Sequence, residues 1–411
     1  MRILYVTPMI QWPLAHGGQI RQWNILHALQ AMGQLDVLVF QNPSDPLPKE
    51  VYEKCQSVYL RDDRLLKGVD STTEQSVAYR STFGRLRLCI GNRRPFRYLG
   101  PPTDELSEWF SRLTKEKNYN VIWISKAVTA VALNWRDKRS TILDGDNIDY
   151  RLNLQLLRSS NWYGAKLINY LDVAKLAVWE RNLHRWFARV VRCSGEDQRI
   201  LPGKNTVVIP NGTDIPQDYS RRPGARMLFV GTLGYEPNRF GVEWFLEKIW
   251  PRIRARLPSL QIDIVGSNPG VQIQDQNGKD GVWVHGFVRD LSSFWNHAQL
   301  SIAPLLAGSG TRLKILESLA HQVPVVSTKT GAEGLDLGEN EGLFRADSED
   351  RFADACVKLV VDECRNRQLG VVGQQAVAAE YSWPIIHKKI HALVDDVSGN
   401  QSQQVAMASQ L

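Results

Sequence analysis

The stretch Ala303-Pro304-Leu305-Leu306-Ala307-Gly308-Ser309-Gly310-Thr311-Arg312-Leu313-Lys314-Ile315-Leu316-Glu317-Ser318-Leu319-Ala320 reads as a strand end, a glycine-rich loop and a helix. The strand ends at Ala303, and the helix is expected to begin near Thr311, with Leu313, Leu316 and Ala320 as its apolar stripe. A strand–loop–helix unit of this kind builds doubly wound α/β sheets. The pattern continues outward in both directions. Pro324–Ser327 follows as a short apolar run, and Met227–Val230, Gln261–Gly266, Val282–Val284 and Leu300–Ala303 precede it, with an amphipathic helix over 239–255. The first half opens with a βαβ unit made of Ile3–Val6, a helix over 19–32 and Leu35–Phe40. It continues with Val121–Ile124, Ser140–Leu143, Val190–Cys193 and Val207–Ile209. Between the halves, Pro210-Asn211-Gly212 and Arg221-Arg222-Pro223-Gly224 are breaker-rich and read as a linker.

The expected division is therefore a first domain over 1–212 and a second over 213–383. A helix over 384–397 follows Trp383-Pro384, and the Gln/Ser-containing tail 398–411 is expected to fray. A length of 411 residues with 43% hydrophobic and 23% charged content excludes disordered and fibrous classes. The net charge of +7 suits phosphorylated ligands or acidic surfaces and falls short of a nucleic-acid binder. The five cysteines, at 55, 89, 193, 356 and 364, form no CxxC pair, so no zinc ribbon or disulfide framework is encoded. The N-terminal apolar run is too short for a signal peptide, and no stretch approaches the ~18 apolar residues of a membrane span. A cytoplasmic protein, peripheral at most to the inner face of a membrane, is expected.

The loop at 308–311 exposes backbone amides at the positive end of a helix, where an anion can approach closely. Arg312 and Lys314 add charge where a diphosphate would lie. Glu317, on the same helix face, could accept hydrogen bonds from two vicinal hydroxyls such as those of a ribose. A helix cap with an i,i+3 Lys314–Glu317 pair accounts for the same residues without any ligand. A second loop, Val230-Gly231-Thr232-Leu233-Gly234, leaves its strand with two glycines and could cradle a phosphate, or be an ordinary βα turn.

These segments resemble the donor-binding signature of retaining glycosyltransferases of family 4. The resemblance rests on Gly308–Glu317, Val323–Thr328, Gly331–Leu335, Ile209–Asp214, Phe229–Leu233, Gly286–Leu291 and the His16-Gly17-Gly18 loop. It implies a GT-B fold, two Rossmann-like domains facing across a cleft, with the acceptor on the first and a nucleotide-sugar, UDP-linked, on the second. By that resemblance Glu317 binds the ribose, and Lys314 and Arg312 bind the diphosphate. Gly231 and Thr232 meet the phosphates through backbone, the chain near Val288 faces the base, and Gly308, Ser309, Gly310, Thr311 and Leu316 complete the donor site. The final helix would return to the first domain. The implied reaction retains anomeric configuration, uses no metal or cofactor, and serves polysaccharide assembly. Two departures stand out. Ser309 occupies the position of the first glutamate of the family's E-x7-E pair, leaving its task to the amides of 308–311 or to Glu333. Pro237-Asn238-Arg239 stands where a lysine is usual, so Arg312 and Lys314, with Arg239 as a further candidate, must carry the phosphate charge.

On the first domain Leu143-Asp144-Gly145-Asp146-Asn147 follows a strand, and Asp146 occupies the place of a family histidine. It could orient an acceptor hydroxyl and counts with Lys314 and Arg312 as a catalytic candidate; an Asx turn or helix cap is the alternative. The same residues spell D-x-D, a metal motif of another glycosyltransferase architecture. His16, Gly17 and Gly18 are candidates for an acceptor or phosphate loop. Residues 80–97 carry six arginines and no acidic residue among apolar side chains, and could meet anionic lipid headgroups or a lipid-linked diphosphate acceptor. The stretch Trp179–Phe187 reads as an amphipathic core helix. A nucleotide-sugar epimerase of the same fold and a non-catalytic sugar- or lipid-binding protein are the rival functions.

Overall fold

The computed structural model describes residues 1–12, 14, 17–42, 45–62, 66, 82–91, 95, 104–159, 166–217, 221–307 and 312–408. The chain forms two compact units, Met1–Ile209 together with His387–Leu411, and Pro210–Ile386.

The first unit is built on seven strands: β1 Arg2–Thr7, β2 Gln34–Phe40, β3 Ser57–Arg61, β4 Val121–Ser125, β5 Asp137–Asp144, β6 Phe187–Arg192 and β7 Thr206–Val208. Their order is β3-β2-β1-β4-β5-β6-β7, with parallel ladders throughout. Sheets of this kind are covered on both faces, which is why β1 and β4, and β2 apart from Asp36, read as apolar runs instead of alternating. Leu4, Val6, Leu38, Phe40, Ile122, Ile124 and Leu143 form one core layer with Phe110 and Leu113 of the helix Asp104–Lys117. The helix Gly17–Gln30 joins β1 to β2 and begins at the two glycines.

The second unit repeats the design with β8 Arg226–Val230, β9 Gln261–Val265, β10 Val282–Gly286, β11 Leu300–Ala303, β12 Val325–Ser327 and β13 Leu343–Arg345. The order is β10-β9-β8-β11-β12-β13, again parallel. One face packs Phe229, Ile264 and Ile302 against Phe245, Ile253, Phe352 and Cys356. The other packs Ala303 and Val325 against Ile315, Leu316, Leu319 and Val377.

Several expectations need correction. The helix expected over 239–255 is Glu236–Trp244, a π-helical turn Phe245–Ile249 and Trp250–Arg256, with Pro251 near the start of the last segment removing a backbone donor. Trp179–Phe187 is no single helix: the helix Lys166–Asn182 ends inside it, a 3₁₀ turn follows, and β6 starts at Phe187. The tail does not fray at 398, because the last helix runs Trp383–Ala408. Its middle is held within the first unit, where His391 Nε2 bonds Ala28 O at 2.9 Å and Arg189 pairs with Asp396 at 2.6 Å. All five cysteines are free. Among the described residues no helix is long and apolar enough to cross a membrane.

Candidate functional site

In the second unit the polar side chains gather where β8 and β11 end, the edge at which open α/β sheets bind ligands. The helix following β11 is described as Leu313–Ala320, with Arg312 as an extended N-cap, so it starts two residues later than the sequence suggests. The Leu313 and Lys314 amides have no acceptor among the described residues, as the first amides of a helix do unless something binds there. Gly308, Ser309, Gly310 and Thr311 lie outside the described residues.

Lys314 does not close an ion pair with Glu317. Its Nζ donates to Asn238 Oδ1 at 2.6 Å and stands 4.3 Å from the centre of the Phe229 ring. Asn238 in turn donates through Nδ2 to Thr232 O at 2.8 Å. The sequence leading to this link is local: Pro237 lies in the first turn of the helix Glu236–Trp244, placing the buried Asn238 under the β8 loop. Gly231 completes the arrangement by having no side chain, since a Cβ there would lie 2.8 Å from Lys314 Nζ and 3.0 Å from Asn238 Nδ2. Its amide is spent on Val265 O, so Gly231 gives room and not a phosphate donor, correcting one expectation. The Thr232 amide donates to none of the described residues.

Burial, followed by the neighbouring Arg312 guanidinium, presses the Lys314 ammonium down to about 7, against the attraction of Glu317. Glu317 is pushed above the usual carboxylate range by burial, opposed by Lys314 and reinforced by Asp214. Its carboxylate accepts no hydrogen bond among the described residues. Arg312 is buried, with Nη2 3.5 Å from Thr330 O. Leu316 is fully buried in the apolar layer under the helix, so its side chain seats the helix and touches no ligand, a second correction. Arg239 is likewise set aside, lying 4.6 Å over the Phe240 ring and 3.7 Å from Glu243. Val288 is half-buried on Leu228, Val265 and Trp295, just past Gly286 at φ +66°.

In the first unit Gly17 and Gly18 open their helix, and His16 lies outside the described residues. That helix sends Arg21 inward to Asp144, Nε to Oδ2 at 2.9 Å and Nη2 to Oδ1 at 2.7 Å, both side chains fully enclosed. Both oxygens of the first D-x-D carboxylate are therefore engaged by a cation of the protein. Asp146 is half-buried in a recess of about 400 Å³. At the start of the helix Asp149–Ser159, Glu180 accepts from the Asp149 and Tyr150 amides at 2.9 and 3.1 Å. Of the basic segment, 82–91 forms a helix with Phe83, Leu86 and Ile90 exposed; residues 80–81, 92–94 and 96–97 lie outside the described residues.

Residues 224–362 match the family model described as glycosyl transferases group 1. A phosphatidyl-myo-inositol mannosyltransferase of Mycobacterium tuberculosis is 27% identical over 221 residues, half of this chain and 58% of that protein. A sucrose-phosphate synthase from Thermosynechococcus elongatus overlays at a TM-score of 0.68 with 16% identity, covering 97% of this chain and 99% of that one. Residues 224–362 are thus of the glycosyl transferases group 1 type, and the chain has the GT-B fold of its structural neighbours. The chain is also 23% identical over 372 residues to an uncharacterized 44.6 kDa protein in the cps region of Klebsiella pneumoniae, covering 86% of this chain and 89% of that protein. Anabaena Alr3699/HepE in complex with UDP-glucose overlays on it at a TM-score of 0.60 with 15% identity, covering 96% and 100% of the two chains. In the second unit, Asn238 is the site residue that the sequence alone did not reveal. The signal was present in Pro237-Asn238, a helix-starting proline followed by a side chain that can both donate and accept.

Proposed function

We propose that the chain is a retaining family 4 enzyme that moves a hexosyl group from a UDP-linked sugar to a saccharide or lipid-linked acceptor in polysaccharide assembly. The observation that carries this reading is the Lys314 ammonium held by Asn238 beside Gly231, next to the unbonded amides of Leu313 and Lys314. A diphosphate there would meet two backbone donors, Lys314 and Arg312, while Glu317 remains available to a ribose diol. The HepE neighbour, with UDP-glucose bound, supports the donor class. Support for the biosynthetic setting comes from the relative in a cps region and from the relative named for phosphatidyl-myo-inositol. The second unit then serves the donor and the first the acceptor. Catalysis rests on positioning and on stabilising charge that develops on the departing diphosphate. Lys314 and Arg312 supply that positive charge, so transfer is expected to persist in EDTA. The exposed Phe83, Leu86 and Ile90 beside Arg87 suit peripheral contact with the inner face of an anionic membrane.

A thermal-shift screen of UDP-, GDP- and ADP-sugars tests the donor. A ligand at 100 times its Kd adds about 2.7 kcal/mol, so UDP-sugars should raise the melting temperature and the others should not. No shift with any of the three would refute the reading. Epimerised donor appearing without an acceptor would favour the epimerase instead.

Two further outcomes follow from the local geometry. Gly231→Ala should fold, since its methyl meets only the ends of two side chains, yet weaken UDP about tenfold, the scale of one charge-assisted hydrogen bond. Calorimetric titration reads this directly. Lys314 carries its proton below about pH 7 and loses it above, so kcat/KM for the donor, which reports the free enzyme, should fall as pH rises through 7. Once phosphate is bound the ammonium is favoured, so kcat should fall only at higher pH. A flat kcat/KM profile between pH 6 and 8.5 would contradict the assignment.

A further inference from the structure

Three neighbouring strands of the first sheet, β4, β5 and β6, end side by side, and the residues at their ends line the recess of about 400 Å³. Two cations lie in its wall. Arg192, the last residue of β6, is 2% exposed, and its guanidinium forms no hydrogen bond among the described residues, with Nε enclosed and unmatched. A guanidinium has five donors, and burying them unmatched is costly unless a ligand completes them. Of the carboxylates around it, Glu180 is committed to the amides of Asp149 and Tyr150 and Asp144 to Arg21, while Asp197 also faces it. Residue 145 must be glycine for the guanidinium to sit there, because a Cβ would lie 2.8 Å from Nη1.

The second cation is Lys126, directly after β4. It holds φ 67° and ψ 138°, a conformation nearly reserved for glycine, and its ammonium also has no hydrogen bond among the described residues. A strained lysine where glycine would be relaxed indicates that the side chain is wanted for its chemistry. Asp146 lies in the same wall with its carboxylate unbonded among the described residues, a ready acceptor for a hydroxyl.

We propose that this recess is an oxyanion subsite, in which Arg192 and Lys126 bind a carboxylate or phosphate borne by the acceptor sugar and Asp146 takes a neighbouring hydroxyl. That the anion belongs to the acceptor rests on the glycosyltransferase reading above, whereas the site itself rests on the two unmatched cations. The acceptor is then an acidic saccharide, charged either through a sugar carboxylate or through the phosphate that links it to a lipid.

The test titrates the full chain with methyl β-D-glucuronoside, glucose 1-phosphate and neutral methyl β-D-glucoside, and separately with UDP. At least one anionic sugar should bind about ten- to a hundredfold tighter than the neutral one, the range of a charge-assisted pair. The tighter of the two identifies the source of the charge. Arg192→Gln should abolish that preference and leave UDP affinity unchanged. Lys126→Gly should melt above the wild type, because it relaxes the backbone, yet bind the anionic sugar more weakly. Equal binding of anionic and neutral sugars, or retention of the preference in both variants, would overturn the subsite. Failure of UDP alone would instead count against the donor assignment and leave the sugar result standing.

Discussion

Lys314→Ala should lower kcat/KM for the sugar nucleotide about 10²–10³-fold, the usual cost of removing one preorganised donor from developing charge. The loss should come without loss of stability. The ammonium sits beside Arg312 in a site that presses its proton off toward pH 7, so the folded state gains little from the charge. Replacement by Met, which keeps the aliphatic stem against Phe229, should leave the melting temperature level or raise it while activity is lost. Steady-state rates with UDP-sugar, paired with thermal melts, separate the two effects. A variant that melts early and keeps its kcat/KM would show Lys314 to be structural.

The largest effect on stability should come from the Arg21–Asp144 pair. Both groups are enclosed, and the two hydrogen bonds between them satisfy charges that water cannot reach. Arg21→Met leaves an uncompensated carboxylate under the Gly17–Gln30 helix and should cost about 3–5 kcal/mol. The double variant Arg21→Met with Asp144→Leu should recover most of that loss, because removing both charges also removes their desolvation. Urea unfolding followed by tryptophan fluorescence measures both. Equal stability of the single variant and the wild type would mean that the pair is hydrated in solution.

The sheets were legible in the sequence wherever strands are buried on both faces. β1, β4 and β8 carry continuous apolar runs, β2 and β9 carry such runs interrupted by Asp36 and Asp263, and each was read within about two residues of its ends. The two strands missed, β3 and β13, are both sheet edges. β3 is only partly covered and β13 is three residues long, so neither carries the apolar run that marks a central strand. At the site, Arg312, Lys314 and Glu317 were legible because one helix and its N-cap carry them within six consecutive residues. Asn238 was not, because its partnership with Lys314 spans 76 positions and depends on how the β8 loop folds over the next helix. The Glu180 cap and the Arg21–Asp144 pair escaped for the same reason, since sequence spacing conveys nothing about contacts between elements. Leu316 was assigned to ligand as well as to the apolar stripe, and burial leaves it only the second role.

In the proposed function Glu317 and Lys314 hold the nucleotide of the donor. Titration of UDP and 2′-deoxy-UDP against the wild type and Glu317→Ala tests it most directly, because the four affinities form a thermodynamic cycle. The wild type should prefer UDP by about tenfold, one hydrogen bond to a charged acceptor, and the variant should bind both nucleotides equally and more weakly. Undiminished binding of UDP by Glu317→Ala would contradict it.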